Sequence, residues 1–133
     1  KLLDGIVDIY LADFKYGDSS TGRKYSKVKG YYEVALEAIR EMHRQVGDLQ
    51  VDEEGIAIRG LLIRHLVLPN GLAGTQKVLE SLKEISPQTY INIMDQYMPY
   101  YKAYDYPELS RRINYKEYQE ALNLAEGFKL VLD

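Results

Sequence analysis

Hydrophobic and polar positions along the chain follow two periods, one typical of strands and the other typical of amphipathic helices. Near-continuous apolar and β-branched runs predict three main strands, over residues 6–14, 61–68 and 90–94. Apolar residues three or four positions apart predict helices with one buried stripe, over residues 31–46 and 75–85. Short β segments over residues 49–51 and 56–58 flank a turn that contains glycine and suggest a small hairpin.

The segments between these elements carry turn and helix-start signals. Asn114 with Glu117 three residues later resembles a capping box, which predicts a last helix over residues 115–126. Residues 18–22 are expected to form a loop, and a short helical turn is expected near residues 24–28. A tyrosine-rich loop connects the third strand to the last helix.

The order of strand, helix, hairpin, strand, helix, strand, loop and helix predicts one α/β domain over residues 1–133, with parallel strands joined by right-handed crossovers. The apolar strands predict a sheet that is buried on both faces. Three parallel strands leave both sheet edges unpaired, and the first strand begins close to Lys1. We therefore expect a piece of something larger, which would self-associate through the exposed edge of residues 6–14.

Composition excludes several classes of function. The 133 residues carry a formal net charge of −3 and a pI near 5.4, which argues against a nucleic acid or an anionic membrane as partner. No apolar run approaches the roughly 20 residues that span a bilayer, and the first residues do not resemble a signal peptide, so we expect a cytoplasmic protein. The chain has no cysteine and two histidines, which excludes cysteine-held clusters within it and makes a multi-histidine metal site improbable.

α/β sheets and barrels bind ligands at the carboxyl ends of their strands. Polar side chains interrupt the apolar pattern at the ends of the first and third main strands and in the middle of the second. These positions are Asp13 and Lys15 on the first strand, Arg64 on the second, and Asp95, Gln96 and Tyr97 after the third. Asp13 and Lys15 point to the same face, because strand side chains alternate. Three such sets suggest one shared polar site.

Each of these positions also has a structural interpretation. Asp13 and Lys15 could be an ordinary solvated strand end. Arg64 could form a structural ion pair with Asp13 or Asp95, or could bind a carboxylate or other anion bidentately. His65 faces away from Arg64 and is expected to be a hydrogen-bonded core residue. The tyrosine-rich loop could be a lid over a ligand or could pack beneath the last helix.

Three strings carry a resemblance to a known family: VDIYLADFKYGD, GLLIRHLVLPNGLAGT and YINIMDQYMPYYKA. In this order and spacing they resemble the later part of radical S-adenosylmethionine (SAM) proteins akin to the pyruvate formate-lyase-activating enzyme. The resemblance implies strands four to six of a partial (β/α)6 barrel. In such proteins an upstream Cys-x3-Cys-x2-Cys loop holds a 4Fe–4S cluster, and reduction cleaves SAM to a 5′-deoxyadenosyl radical that abstracts a hydrogen atom.

The resemblance also implies roles for the candidate site residues. Asp13 and Lys15 match a motif near the amino-acid end of SAM, where the aspartate can help hold a cation beside the SAM carboxylate. Arg64 matches a basic position that faces SAM, and the segment Asp95-Gln96-Tyr97 matches one near the adenosine. The cysteine loop is absent from this chain, so we expect the chain alone to be inactive and to contain no catalytic residue.

Other functions remain open at this point. A glycyl-radical protein could be the substrate of the parent enzyme, by analogy with the named relative. The chain could instead be a cysteine-less α/β module that binds or senses a small molecule without catalysis. A flavodoxin-like regulatory domain with Asp13 as acceptor is a third alternative, although the expected five regular strand–helix units are missing.

Overall fold

Four helices and five strands alternate along the part of the chain that the computed structural model describes, residues 2–99 and 101–132. The strands are β1 (Ile9–Asp13), β2 (Gln50–Val51), β3 (Ala57–Leu66), β4 (Tyr90–Met94) and β5 (Val131–Leu132). The helices are α1 (Ser19–Ser26), α2 (Tyr31–Val46), α3 (Thr75–Ile85) and α4 (Tyr115–Gly127). In the described residues, no helix combines the length and apolar character needed to cross a membrane.

The sheet is mixed, and its main strands are parallel. β1, β3, β4 and β5 lie side by side in chain order, each parallel to the next. The two residues of β2 pair antiparallel with the start of β3. Because parallel neighbours need long connections, helices follow the strands, and the predicted α/β class is confirmed.

The helices α2, α3 and α4 pack on one face of the sheet. Alternating residues of three strands form one buried cluster with the apolar stripes of these helices. The strand residues in this cluster are Ala12, Phe14, Ile63, Ile91 and Ile93. The expectation that the sheet is buried on both faces is wrong. The strand residues between these point to the other face of the sheet, which no described helix covers, and they stay partly exposed. Leu11, for example, retains 54% of its accessible surface.

This uncovered face is organised in rows across the strands, because directly paired residues of parallel strands share a face. Leu11, Leu62, Tyr90 and Val131 form an apolar row. The next row toward the carboxyl ends is polar and consists of Asp13, Arg64 and Asn92. The uncovered face therefore carries ionisable groups between apolar neighbours.

Several predicted boundaries are wrong at the strands. The first strand begins at Ile9 rather than residue 6, because Gly5 adopts a positive φ of 81° in a turn. The hairpin exists, but its second arm continues directly into the central strand β3. Gly60 permits this, since a side chain there would clash with the Asp48 backbone. The fourth parallel strand, β5, was not predicted.

The predicted helix bounds agree more closely with the structure than the predicted strand bounds do. α2 and α3 have the predicted bounds, and α4 extends one residue past its predicted end, with the capping box of Asn114 and Glu117 present. The segment after β1 differs from its prediction, because α1 begins at Ser19 where a loop was expected. Asp18 caps this helix by accepting a hydrogen bond from the Thr21 backbone N–H at 2.7 Å.

Candidate functional site

The carboxyl ends of β1, β3 and β4 border one cavity on the uncovered face of the sheet. The cavity has a volume of about 230 Å³. Four of the six residues singled out from the sequence line it: Asp13, Lys15, Arg64 and Tyr97. Leu66, Leu68 and Met94 add an apolar wall. The site is thus a small pocket with charged groups at one side and apolar surface at the other, the usual composition of small-molecule sites.

Asp13 and Arg64 form an ion pair across β1 and β3. The two residues are direct register partners, so their side chains emerge next to each other on the same face. Arg64 Nε donates to Asp13 Oδ1 at 2.7 Å, and the side chains are 40% and 41% exposed. The ion-pair interpretation of Arg64 is confirmed with Asp13 as partner. The terminal guanidinium nitrogens of Arg64 make no hydrogen bond to the residues that the structure describes, and they remain able to bind an anion.

Lys15 occupies the next position on the same face as Asp13. Within the described ranges its ammonium group makes no ion pair. Its backbone N–H donates to the Tyr31 hydroxyl at 2.6 Å, and that hydroxyl is 3.4 Å from the Asp13 carbonyl oxygen. Burial raises the pKa of Tyr31. This tyrosine fixes the backbone on which Asp13 and Lys15 stand, and the sequence pattern, which marks Tyr31 only as the first residue of a helix, did not reveal it.

His65 lies directly behind the site on the helix-covered face. Its side chain is fully buried, and its Nδ1 is 2.7 Å from the Phe14 carbonyl oxygen. That carbonyl can only accept, so Nδ1 carries the proton and Nε2 accepts from the Thr75 hydroxyl at 2.9 Å. Burial lowers the pKa of His65 and keeps the ring neutral, although the hydrogen bond to Phe14 opposes the shift. The prediction of a hydrogen-bonded core histidine is confirmed.

The three residues after β4 separate in the structure. Tyr97 lines the cavity, and its hydroxyl donates to the Leu109 carbonyl oxygen at 2.8 Å. Burial raises the pKa of Tyr97. Asp95 and Gln96 are exposed and do not line the cavity. The structure therefore brings only one member of this segment to the charged residues on β1 and β3.

The segment between β4 and α4 forms two short 3-10 turns, Tyr101–Asp105 and Pro107–Leu109. Tyr100 lies outside the described residues. In the segment after β4, Tyr97 reaches the cavity, and the Tyr118 hydroxyl of α4 donates to the Ile93 carbonyl oxygen at 3.0 Å. Packing against the sheet thus accounts for part of the tyrosine content.

The glycine-rich turn before α3 borders a second cavity of about 540 Å³. Two carboxylates, Glu117 and Glu120, also line it. A hydrogen bond from Arg111 lowers the pKa of Glu117 to about 2, so this group is anionic at neutral pH. Lys77 also lines the cavity, so its described lining carries no excess of positive charge that would attract a phosphate to this helix N-terminus.

No group of three or more potential metal ligands occurs among the described histidine and acidic residues, and the chain has no cysteine. The charged and apolar residues that line the Asp13–Arg64 cavity suit an organic ligand. Arg64 and Lys15 can hold a carboxylate, Asp13 can attract an ammonium group or a cation, and the apolar wall can contact a thioether or a ring.

Comparison with known proteins finds an archaeal relative. An uncharacterised protein of Methanocaldococcus jannaschii is 39% identical over 132 residues. The match covers 98% of this chain and 35% of the relative, so the chain spans about a third of the relative's length. No family model matches the chain.

Proposed function

We propose that the chain forms the cofactor-lining later half of a radical SAM barrel similar to that of the pyruvate formate-lyase-activating enzyme. The observation that supports this best is the convergence of Asp13, Lys15, Arg64 and Tyr97 on one cavity at the carboxyl ends of parallel strands. These residues come from the three strings on which the resemblance depends.

The one-sided sheet is compatible with a barrel wall. A barrel strand turns one face to the outer helices and the other to the interior, where ligand-binding groups lie at the carboxyl ends. In this chain α2, α3 and α4 cover one face, and the polar row of Asp13, Arg64 and Asn92 lies on the other. We propose that the uncovered face is the interior of the parent barrel.

Each site residue then has a distinct role toward SAM. Arg64, oriented by Asp13, and Lys15 bind the carboxylate of the amino-acid end, and Asp13 can hold a cation or the amino group beside it. Tyr97 borders the same ligand, with Asp95 and Gln96 further out toward the adenosine. SAM on a 4Fe–4S cluster would supply the radical chemistry, and the cluster ligands must come from outside this chain, which has no cysteine. The chain alone is then inactive, in a cytoplasmic parent whose substrate could be a glycyl-radical protein.

The test begins with the gene and continues with the complete polypeptide. If the reading frame encodes Cys-x3-Cys-x2-Cys upstream of Lys1, the complete protein is purified without oxygen and its 5′-deoxyadenosine production is measured. Arg64→Met removes a charge-assisted contact, and we expect the KM for SAM to rise by about tenfold or more. Arg59→Met is the matched control on the same strand, because Arg59 pairs with Asp8 outside the cavity.

Two results would overturn the proposal. One is a reading frame without the cysteine motif, and the other is a KM for SAM that Arg64→Met leaves unchanged. Production of 5′-deoxyadenosine by the isolated chain above a no-protein control would contradict its expected inactivity.

A non-catalytic binding module is the second candidate, because the charged groups and the apolar wall of the cavity all belong to this chain. Calorimetric titration of the isolated chain with SAM and with simpler α-amino acids separates the two candidates. Tight binding by the chain alone favours the module. Weak or absent binding that becomes tight in the complete protein favours the barrel.

A further inference from the structure

Four cationic side chains cluster on α1 and the turn that follows it, away from the cavity described above. Arg23, Lys24, Lys27 and Lys29 line a shallow depression of about 490 Å³. All four are exposed. Because the whole chain has a net charge of −3, the remainder carries −3 − 4 = −7. We call these four residues, with Val28 between them, the α1 basic surface.

Part of this surface is held in place by the 3-10 segment that follows β4. The Nζ atoms of Lys24 and Lys27 each lie 5.8 Å from the centre of the Tyr106 ring, within the range of a cation–π contact. Lys27 Nζ also donates to the Tyr106 hydroxyl at 3.1 Å, and Lys24 pairs with Glu108 at 3.1 Å. Side chains that are already ordered lose less conformational entropy when a partner binds.

The other two cations have no such internal partner. Within the described ranges, the side chains of Arg23 and Lys29 make no hydrogen bond or ion pair. Glu108 pairs with Lys24, whereas Arg23, Lys27 and Lys29 have no ion-pair partner among the described residues. Val28, which lies between Lys27 and Lys29 in the chain, is 46% exposed and adds apolar contact area.

The α1 basic surface adjoins the candidate site through Tyr16. The Tyr16 ring lines the Asp13–Arg64 cavity, and its hydroxyl hydrogen-bonds to Ser26 at the end of α1, at 2.8 Å. Tyr16 therefore connects the end of α1 to the wall of that cavity.

We propose that the α1 basic surface docks an acidic segment of a partner protein. A nucleic acid fits less well, because an extended polyanion would also pass over the remaining surface with its net charge of −7. A short segment rich in aspartate and glutamate needs only the four cations. This proposal depends on α1 and does not require that the cavity bind SAM.

The experiment measures fluorescence anisotropy of a labelled oligoglutamate peptide with the purified protein at about 0.15 M salt, where distant charges are screened. The test variant is Arg23→Ser/Lys29→Ser, which removes two charges without breaking an internal contact. The matched control is Lys83→Ser/Lys116→Ser, which removes two charges from α3 and α4. Thermal unfolding shows whether both variants stay folded.

We expect binding about three- to tenfold weaker in the test variant and unchanged in the control, since exposed ion pairs contribute modestly. Equal losses in both variants would mean a non-specific charge effect and overturn the proposal. No binding by the wild-type protein would also overturn it. A labelled oligouridylate that binds more tightly than the peptide through the same two residues would assign the surface to RNA instead.

Discussion

Replacement of His65 tests the link between the core and the candidate site. His65 joins three elements, because it lies on β3 and hydrogen-bonds to Phe14 after β1 and to Thr75 at the start of α3. His65→Leu introduces an apolar side chain of similar size but leaves the buried Phe14 carbonyl and the half-buried Thr75 hydroxyl without this partner. Each unsatisfied buried group costs about 1–3 kcal/mol, so we expect the free energy of unfolding to fall by roughly 2–5 kcal/mol.

Urea unfolding followed by circular dichroism measures this loss. His65→Asn is the informative comparison, because its amide can still donate to the Phe14 carbonyl oxygen, and we expect it to recover part of the stability. His43→Leu is the control, since His43 is only partly buried and bonds to Asp48 at the surface, and we expect a loss below about 1 kcal/mol.

The pH dependence of stability gives a second readout for the same residue. Burial lowers the pKa of His65 in the folded state, while the unfolded value is about 6.5. Below that pH the unfolded chain therefore binds the proton more readily, and stability falls as the pH decreases from 7 toward the folded-state pKa. His65→Leu should abolish this component. Equal stability, or an equal pH slope, for wild type and His65→Leu would refute the reasoning.

Three further predictions concern the fold. Gly60→Ala combines a φ of 118° with a clash against the Asp48 backbone and should lower stability by about 3 kcal/mol. Gly55 has a φ of 81° and no neighbour within 4 Å, so Gly55→Ala should lower stability by only about 1 kcal/mol. Equal losses for the two variants in thermal unfolding would contradict this prediction. Asn114→Ala removes the capping box and should lower stability by about 1 kcal/mol in urea, and an unchanged midpoint would argue against the cap. Leu11→Lys places a charge on the edge strand β1 and should suppress self-association in light scattering; a wild-type monomer at high concentration would contradict the expected association.

The helices were predictable because their signals are local. The apolar stripe of α2 and the cap of α4 lie within each segment and do not depend on distant contacts. β5 was missed because two residues cannot show a period, and they become a strand only by pairing with β4. The start of α1 was not predicted because aspartate, the residue type of Asp18, is common both in loops and at helix N-caps.

The sequence predicted which residues line the candidate site better than it predicted how they are arranged. Side-chain alternation correctly placed Asp13 and Lys15 on one face, but the pairing of Asp13 with Arg64 depends on the register of β1 and β3. Alternation puts Asp13 on the same face as Leu11, but only the register places Arg64 and Asn92 beside Asp13 on that face. The long apolar strands obscured the uncovered face, because each strand carries only one polar residue on that face.

The polar row across the uncovered face also affects how two copies of the protein can meet. Apolar sheet faces tend to stack against each other with loss of water, and such stacking is a route to aggregation. Here a flat stack would enclose the Asp13–Arg64 pair, and removing that pair from water costs several kcal/mol unless new partners compensate. The side chains that could bind a small ligand on this face thus also oppose its close packing against another sheet. The same residues therefore serve ligand binding and protect against misassembly.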